Sequence, residues 1–323
     1  MAKPRVVITR KLPGAAEERA QSLFDVELNA DDTPLDAAGL ARAMREADGL
    51  LPCVADKITA EILATPGRKA KIVANYGVGY NNIDIAAAKE NGVVVTNTPD
   101  VLTEDTADLA LTLMLSTARR AGQGERELRG GKWTGWRPTH MLATQVHGKT
   151  LGMIGIGRIG RAVARRAHLG FGMKIIYHDP YPLSDADAAA LKAERKDSIE
   201  AVLRESDFVS LHCPATPETR HLMNASRFAQ MRKGAILINT ARGDVVNETD
   251  LIAALESGTI GGAGLDVFEK EPSVPAALTK MENVVLLPHL GSATLETRVA
   301  MGMRAIDNLE AFFGGTAPRD RVA

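Results

Sequence analysis

The sequence predicts an α/β fold made of two doubly wound parallel-sheet domains. Short runs of β-branched and apolar residues recur along the chain, and segments of helical length separate them. The length of 323 residues is about twice that of a typical domain. A glycine-rich turn, Gly155–Gly160, follows one apolar run and opens a helical pattern. These three observations predict two domains of alternating strands and helices.

The first hundred residues carry the first series of strands. They are predicted at Arg5–Thr9, Val26–Leu28, Gly49–Cys53, Lys71–Ala74 and Val93–Asn97. Helical spacing of apolar residues lies between them, at Asp36–Ala47 and Ile85–Asn91. This alternation is typical of a parallel sheet covered by helices.

A long helical pattern, Thr106–Arg120, precedes the second series. It is apolar on nearly every face, which predicts a buried helix or an interface helix. Six further strands match two mononucleotide-binding halves and are predicted at Thr150–Gly155, Lys174–His178, Phe208–His212, Ala235–Asn239, Gly262–Val267 and Val284–Leu287. A last helix runs from Leu295 to Phe313, before the Gly314-Gly315 stop signal.

Composition and charge exclude several classes of protein. Apolar residues make up 45% of the chain and the net charge is -1, which argues against disorder and against a field that recruits nucleic acid. Two cysteines, Cys53 and Cys213, are too few for a disulfide scaffold. No apolar run is long enough for a signal peptide or a membrane span. We therefore expect a cytoplasmic protein without membrane or nucleic-acid partners.

The glycine-rich turn predicts a dinucleotide site. Gly155 permits a tight turn, Gly157 lets the backbone approach a pyrophosphate, and Gly160 allows close packing of helix and strand. Asp179 follows the next strand, where a carboxylate accepts hydrogen bonds from the adenine ribose and repels a 2′-phosphate. NAD(H) is therefore favoured. Two alternatives stay open, a turn-capping role for Asp179 before Pro180 and NADP(H) binding helped by nearby arginines.

Three polar residues follow the last strands of the second series and suit the reduction of a 2-oxo acid. Arg242 can bind a carboxylate through two hydrogen bonds and polarise the adjacent carbonyl. His289 can donate a proton to the carbonyl oxygen as hydride reaches carbon. Glu271 can stabilise the imidazolium and fix its orientation. The carboxyl ends of parallel strands meet at one edge, so we expect these side chains to converge.

The chain resembles the D-isomer-specific 2-hydroxyacid dehydrogenase family over essentially its whole length. The segments that carry the resemblance are Asn75–Asp84, Gly155–Gly160, Asn239–Asp244 and Pro288–Thr294. Within this family the Gly131–Pro138 segment is most similar to the glyoxylate/hydroxypyruvate reductases. The resemblance implies a Rossmann cofactor domain, residues 100–288, inserted in a flavodoxin-like substrate domain, residues 1–99 plus 289–323. It implies NADH-dependent reduction of glyoxylate or hydroxypyruvate, without a metal.

The resemblance also implies the site residues. The catalytic residues are Arg242, Glu271 and His289, and the substrate carboxylate is bound by Arg242 and by the N–H groups of Val78 and Gly79. The turn at Gly77–Gly79 alone predicts free N–H groups for an anion, with an ordinary βα turn as the alternative. Cofactor contacts are implied at Thr106, Gly155, Gly157, Arg158, Ile159, Gly160, Asp179, Pro214, Thr219, Thr240, Asp266 and His289.

Assembly and motion are further implications of the resemblance. Family members are usually homodimers built across helices like Thr106–Arg120, with domain closure at hinges near residues 98–102 and 289–293. Trp133 and Trp136 then reach the partner subunit's pocket, or else are buried anchors within their own chain.

Departures from the patterns of two subgroups of the family, the phosphite and the formate dehydrogenases, disfavour both as the function of this chain. Val78 stands where phosphite dehydrogenases carry lysine, and Glu271 stands where formate dehydrogenases carry glutamine. The Leu50–Val54 loop offers no cation for a substrate phosphate. Two alternatives remain, a dehydrogenase for 2-ketogluconate or another longer 2-oxo acid, and a non-catalytic NAD-sensing binding protein like the family's co-repressors. The latter carry peptide-recruiting surfaces and long disordered tails, and we expect neither in this chain.

Overall fold

In the computed structural model, which describes residues 2–323, the chain forms two compact units. Unit 1 runs to Leu102 and resumes at Ser292, and unit 2 spans Thr103–Gly291. The predicted boundaries, after residues 99 and 288, each lie three residues before the observed ones, after residues 102 and 291. Unit 2 is thus inserted in the sequence of unit 1.

Unit 1 contains a five-stranded parallel sheet with strand order β2-β1-β3-β4-β5, the flavodoxin-like order that was predicted. Its strands are β1 (Arg5–Ile8), β2 (Asp25–Glu27), β3 (Gly49–Leu51), β4 (Ile72–Ala74) and β5 (Val94–Thr96). Its first helices are α1 (Gly14–Leu23), α2 (Ala37–Glu46), α3 (Ala60–Leu63) and α4 (Ile85–Glu90). Asp36, Thr59 and Asp84 begin the last three helices, because their side chains accept from first-turn N–H groups.

Unit 2 contains a seven-stranded parallel sheet with strand order β12-β11-β10-β9-β6-β7-β8. The strands are β6 (Thr150–Ile154), β7 (Lys174–His178), β8 (Ala193–Arg195), β9 (Phe208–Leu211), β10 (Ile236–Asn239), β11 (Gly262–Leu265) and β12 (Val284–Leu286). The helices are α5 (Thr103–Ala118), α6 (Ala121–Arg129), α7 (Arg158–Phe171), α8 (Asp185–Leu191), α9 (Ile199–Glu205), α10 (Ala225–Phe228), α11 (Glu248–Glu256) and α12 (Ala276–Lys280). The strand order reverses between β6 and β9, which is where a Rossmann sheet binds its ligand.

Two elements of unit 2 correct the sequence prediction. Strand β8 is a seventh strand where six were predicted; its residues Ala193, Glu194 and Arg195 lack the β-branched character of a buried strand, and it pairs only at the sheet edge. The predicted helix Thr106–Arg120 begins at Thr103 and ends at Ala118. Arg120 has a left-handed backbone (φ 52°), after which α6 begins with none of its residues buried.

Helix α5 is buried within its own unit, as one of the two predicted alternatives requires. Its apolar residues Leu111, Leu113 and Met114 belong to the core that also covers β6 and β7. A Cβ atom built on Gly264 would lie 3.0 Å from Cβ of Leu113, so the glycines of β11 allow α5 to pack directly on the sheet. No helix within the described residues is long and apolar enough to cross a membrane.

The C-terminal segment completes unit 1. Helix α13 (Leu295–Phe313) has the predicted bounds, begins where the Thr294 side chain accepts from Thr297 N, and ends at Gly314. Gly302 lets it pack closely on α1, since a Cβ there would lie 2.6 Å from Cβ of Ala16. The tail then returns to the sheet, where Val322 N donates to the Val95 carbonyl over 2.8 Å. This pairing covers the edge of β5.

Candidate active site

The glycine-rich loop joins β6 to α7 in unit 2. Gly155 has φ 87°, and a Cβ there would lie 2.7 Å from the His212 carbonyl carbon. A Cβ on Gly160 would lie 2.8 Å from the Gly155 carbonyl oxygen. A Cβ on Gly157, by contrast, would meet no atom within 4 Å. Gly155 and Gly160 are therefore fixed by the protein's own packing, whereas Gly157 leaves its backbone open to a ligand.

The groups at this loop fit a dinucleotide. The fourteen-residue helix α7 begins here without a side-chain cap, so its first-turn N–H groups and its dipole face the open side of Gly157. Thr240 follows β10, and its buried Oγ1 has no hydrogen-bond partner among the described residues. A pyrophosphate at the helix N-terminus would accept hydrogen bonds from the first-turn N–H groups of α7. The nicotinamide half of the cofactor would lie farther along the same sheet edge, where it would supply a polar partner for Thr240.

Asp179 lies at the end of β7 and organises the glycine loop. Its Oδ2 accepts from Ile156 N over 2.8 Å, and its Oδ1 accepts from Tyr181 N over 2.8 Å. The structure thus contains the capping contact that the sequence left open as an alternative. Each carboxylate oxygen keeps a second lone pair, so these contacts leave room for ribose hydroxyl donors.

The other implied cofactor residues lie along the carboxyl edge of the unit 2 sheet. Thr219 and Pro214 share one turn after β9, in which Thr219 Oγ1 donates to the Pro214 carbonyl over 2.6 Å. Thr106 is buried in α5 and donates to the Gly291 carbonyl over 3.0 Å. Arg158 and Ile159 occupy the first turn of α7. Thr106 and Thr219 therefore already have hydrogen-bond partners within the protein.

Asp266, which follows β11, holds the segment that carries His289. Its Oδ1 accepts from Leu290 N over 2.6 Å and its Oδ2 accepts from Gly291 N over 2.8 Å. Its own carbonyl accepts from His289 N over 2.9 Å. Burial raises the pKa of Asp266, although the Leu290 N–H opposes this shift. Asp266 thus holds the N–H groups of the left-handed His289 (φ 55°) and of the two residues that follow it.

His289 and Glu271 form a hydrogen-bonded pair. Nδ1 of His289 lies 2.8 Å from Oε2 of Glu271, and Glu271 Oε1 accepts from Phe268 N over 3.1 Å. Burial would raise the pKa of Glu271, but the hydrogen bond and charge of His289, helped by Phe268 N and Arg242, lower it overall. Since Glu271 is ionised, Nδ1 is the ring atom that donates to it, and Nε2 is directed away from this contact.

Arg242 lies in a turn after β10 that Asn239 braces. Oδ1 of Asn239 accepts from Ala241 N over 3.0 Å, and its Nδ2 donates to the Arg242 carbonyl over 2.9 Å. Burial lowers the pKa of Arg242, and the charges of Glu271 and Asp244 oppose this shift. The charge of Arg242 therefore acts on the Glu271 carboxylate, and the role of the three residues as one catalytic set stays a prediction.

Gly243 allows the Arg242 turn to approach the Glu271 loop. A Cβ on Gly243 would lie 1.9 Å from the Phe268 carbonyl carbon and 2.4 Å from Glu269 N. Backbone atoms cannot yield as a flexible side chain does, so only glycine fits here. The sequence showed Gly243 without revealing this contact, because the contact joins residues from two different strand ends.

Substitution of Gly243 by alanine tests this contact. Overpacking of this kind costs ~1–3 kcal/mol. Because the two loops carry Arg242 and Glu271, we expect kcat/KM for 2-oxo acids to fall by ~10–100-fold with a lower Tm. Thermal unfolding and steady-state kinetics measure both effects. Gly170→Ala, at a site with no atom within 4 Å, is the control and should keep both values. Unchanged kinetics in Gly243→Ala would show that the loop contact does not matter.

Comparison with known proteins identifies the family. Residues 111–291 match the family described as "D-isomer specific 2-hydroxyacid dehydrogenase, NAD binding domain". A glyoxylate reductase of Korarchaeum cryptofilum is 46% identical over 323 residues, 99% of this chain and 96% of that protein. The chain belongs to the D-isomer-specific 2-hydroxyacid dehydrogenase family. The resemblance inferred from the sequence segments is therefore confirmed.

Further members of the family extend over the whole chain. A glycerate dehydrogenase of Hyphomicrobium methylovorum is 38% identical over 98% of both chains. The crystal structure of an NADPH-dependent glyoxylate/hydroxypyruvate reductase from Sinorhizobium meliloti, in complex with NADP and malonate, has a TM-score of 0.89. It is 38% identical and the match covers 100% of this chain and 97% of that one. The two-sheet fold is thus that of 2-hydroxyacid dehydrogenases, which are oxidoreductases.

An ionisable cluster that was not predicted contacts the Asp244 turn and the loop that precedes Glu271. Nε2 of His221 contacts Oε1 of Glu269. Glu248 and Glu269 exchange contacts, since Glu269 N donates to Glu248 Oε1 over 3.0 Å and Glu248 N donates to Glu269 Oε2 over 3.3 Å. His221 N donates to the Asp244 carbonyl over 2.7 Å. The cluster therefore braces the Asp244 turn against the loop that precedes Glu271.

The remaining implied residues of the dehydrogenase lie apart from this site in the sequence. Val78 and Gly79 belong to unit 1 and follow β4, and both are half-buried. Trp133 and Trp136 are 52% and 82% exposed, so the alternative that they are buried anchors is wrong. Across residues 2–323, no group of three or more His, Cys, Asp and Glu side chains is arranged to hold a metal ion.

Proposed function

We propose that this dehydrogenase reduces glyoxylate or hydroxypyruvate, to glycolate or D-glycerate, with NADH. The observation that carries the proposal is the Glu271–His289 hydrogen bond of 2.8 Å, with the charge of the half-buried Arg242 acting on the Glu271 carboxylate. A carboxylate, a proton donor and a fixed cation are the groups that a 2-oxo acid needs for reduction. The names of the glyoxylate reductase and glycerate dehydrogenase relatives support this substrate class.

The chain's own residues control the proton and the substrate. Bound NADH supplies the hydride that reaches the carbonyl carbon. His289 donates its Nε2 proton to the carbonyl oxygen, and Glu271 holds the ring through Nδ1 and stabilises the imidazolium before the transfer. Arg242 binds the substrate carboxylate through two hydrogen bonds and polarises the adjacent carbonyl. Neutral His289 then takes up a proton from solvent before the next turnover.

The two units have different roles in this proposal. Unit 2 binds the cofactor through the glycine loop and the sheet edge, and unit 1 binds the substrate carboxylate through the N–H groups of Val78 and Gly79, together with Arg242. Closure uses hinges near residues 98–102 and 289–293, and it excludes water from the hydride path. The inserted position of unit 2 gives the chain two connections at which such hinges can lie.

The proposed assembly is a homodimer with a small-molecule substrate as its other partner. Exposed apolar side chains support it: Leu128, Trp133, Trp136 and Leu142 are between 52% and 82% exposed. Leu128 lies in α6 and the other three lie between α6 and β6 in the sequence, and solvent exposure of so much apolar area is unfavourable. The dimer buries this surface and places the tryptophans at the partner's pocket.

The decisive experiment mixes the purified protein with NADH and a panel of 2-oxo acids and follows the nicotinamide absorbance. We expect glyoxylate or hydroxypyruvate to give the highest kcat/KM. A higher kcat/KM for 2-ketogluconate or another long 2-oxo acid would show that the substrate is that acid and not glyoxylate or hydroxypyruvate. Binding of NADH without turnover of any 2-oxo acid would instead indicate an NAD-sensing protein.

Asp179 is proposed to select NADH over NADPH, and substitution tests this selection. We expect Asp179→Ala to lower the NADH/NADPH ratio of kcat/KM by about tenfold, ~1.4 kcal/mol, because the repulsion of a 2′-phosphate is lost. Asp179→Asn keeps one acceptor for the loop N–H groups and removes the charge, so it should shift the ratio with less loss of stability. Asp185→Asn, on the exposed start of α8, is the control. An unchanged ratio in both Asp179 variants would exclude this residue as the selector.

A further inference from the structure

The turn at Gly77–Gly79 has its carbonyl groups fixed by amide side chains of unit 1. Nδ2 of Asn75 donates to the Gly79 carbonyl over 2.9 Å and lies 3.4 Å from the Gly77 carbonyl. Nδ2 of Asn97 donates to the Val78 carbonyl over 2.8 Å. Thr98 N adds a contact of 3.0 Å to the Gly77 carbonyl. Three consecutive carbonyls of the turn therefore have hydrogen-bond donors.

The N–H groups of the same turn have no such partners. Within residues 2–323, no hydrogen-bond acceptor is found for the N–H groups of Val78 and Gly79, whereas Gly77 N donates to the Asn75 carbonyl over 3.0 Å. Two successive N–H groups without an acceptor in the protein can both donate to one bound anion. The turn is also held by packing, since a Cβ on Gly77 would lie 2.4 Å from Cγ1 of Val54.

The orientation of the Asn75 amide is itself fixed. Its Oδ1 accepts from Nδ2 of Asn82 over 3.2 Å, and Asn82 also donates to the Cys53 and Asp56 carbonyls over 3.1 Å. A flipped Asn75 amide would oppose NH₂ to NH₂ at Asn82 and oxygen to oxygen at Gly79. Asn75 is fully buried, so water cannot replace these contacts. The network thus allows only the orientation of the Asn75 amide in which Nδ2 donates to the Gly79 carbonyl.

We infer that Asn75 and Asn97 are positioning residues for substrate binding, because they hold the carbonyls of the turn so that the N–H groups of Val78 and Gly79 are presented to the substrate carboxylate. The inference rests on the proposed reduction of 2-oxo acids. Neither side chain touches the substrate in this arrangement. Their contribution is the preorganisation of two donors, which would otherwise lose conformational entropy at each binding event.

Asn75→Asp and Asn97→Asp test the inference, since each replaces the NH₂ donor by an oxygen of the same size. We expect the KM for glyoxylate and the Kd of oxamate, an unreactive carboxylate analogue, to rise ~10–100-fold. The Kd of NADH should stay unchanged and kcat should fall much less than KM rises. Steady-state kinetics measures the first, and quenching of NADH fluorescence measures both dissociation constants. A merely structural role would change stability without this selective loss of carboxylate binding.

Asn91→Asp is the matched control, because Nδ2 of Asn91 also donates to a carbonyl of unit 1, that of Ala87, at the end of α4. It should keep the wild-type KM. If Asn75→Asp does not fold by circular dichroism, Asn97→Asp decides the outcome, since Asn97 is less deeply buried. Wild-type values of KM and oxamate Kd in a folded Asn97→Asp protein overturn the inference. Absence of 2-oxo-acid reduction by the wild type overturns the proposed function, and the inference with it.

Discussion

Substitution of His289 by alanine is expected to lower kcat for 2-oxo-acid reduction by ~10²–10⁴-fold, because the variant has no general acid for the carbonyl oxygen. Nδ1 of His289 is hydrogen-bonded to Oε2 of Glu271 over 2.8 Å, which leaves Nε2 for the substrate. Asp266 fixes the backbone at Leu290 and Gly291, so the ring is presented from a rigid segment. The loss is therefore one of chemistry and not of loop folding.

The measurement combines steady-state kinetics with the dissociation constant of NADH. NADH binding should stay within a few-fold of the wild type in His289→Ala, since the glycine loop and α7 are untouched. His168→Ala is a matched control: this imidazole of unit 2 contacts the Met173 carbonyl over 3.1 Å at the end of α7. We expect it to keep kcat. Wild-type turnover in His289→Ala would remove the histidine from the mechanism.

The sequence predicted the buried strands and the C-terminal helix, because short patterns of neighbouring residues determine them. Buried strands such as β7 and β9 are rich in β-branched or apolar residues, and the bounds of α13 follow from Thr294 and Gly314. Strand β8 escaped prediction because Ala193–Arg195 is short, polar and at the sheet edge. Helix α6 escaped because Gly122 and Gly124 weaken its pattern and none of its residues is buried.

The glycine loop of the candidate site was predictable, because the backbone requirements of the loop determine the spacing of its glycines. The spacing of Gly155, Gly157 and Gly160 requires a tight turn, an open backbone and close packing, and the structure shows all three. Contacts between distant segments were not predictable in this way. Gly243 must be glycine only because Phe268 lies against it, and the amide of Asn97 matters only because its Nδ2 reaches the Val78 carbonyl, 19 residues away. Such pairs are separated in sequence and meet only after the sheets form.

Substitution of Arg242 by alanine is expected to lower kcat/KM for 2-oxo acids by ~10²–10⁴-fold, since two charge-assisted hydrogen bonds to the substrate carboxylate, each worth ~1.5–3 kcal/mol, are lost. The KM should rise most, and kcat should also fall because the guanidinium polarises the carbonyl. The half-buried position of Arg242 strengthens this interaction, because water screens its charge less than at a fully exposed site. NADH binding should be retained, since the arginine lies outside the glycine loop.

Arg242→Lys separates charge from geometry in the same assay. Lysine keeps the positive charge but has no planar fork, so it should restore only part of the lost kcat/KM. Arg161→Ala is the matched control, because that arginine of unit 2 is paired with Asp187 over 3.1 Å on the exposed side of α7. A KM that stays at the wild-type value in Arg242→Ala would contradict its binding of the carboxylate. Because Asn239 and Gly243 hold the Arg242 backbone independently of its side chain, a raised KM in Arg242→Ala could not be attributed to a collapsed turn.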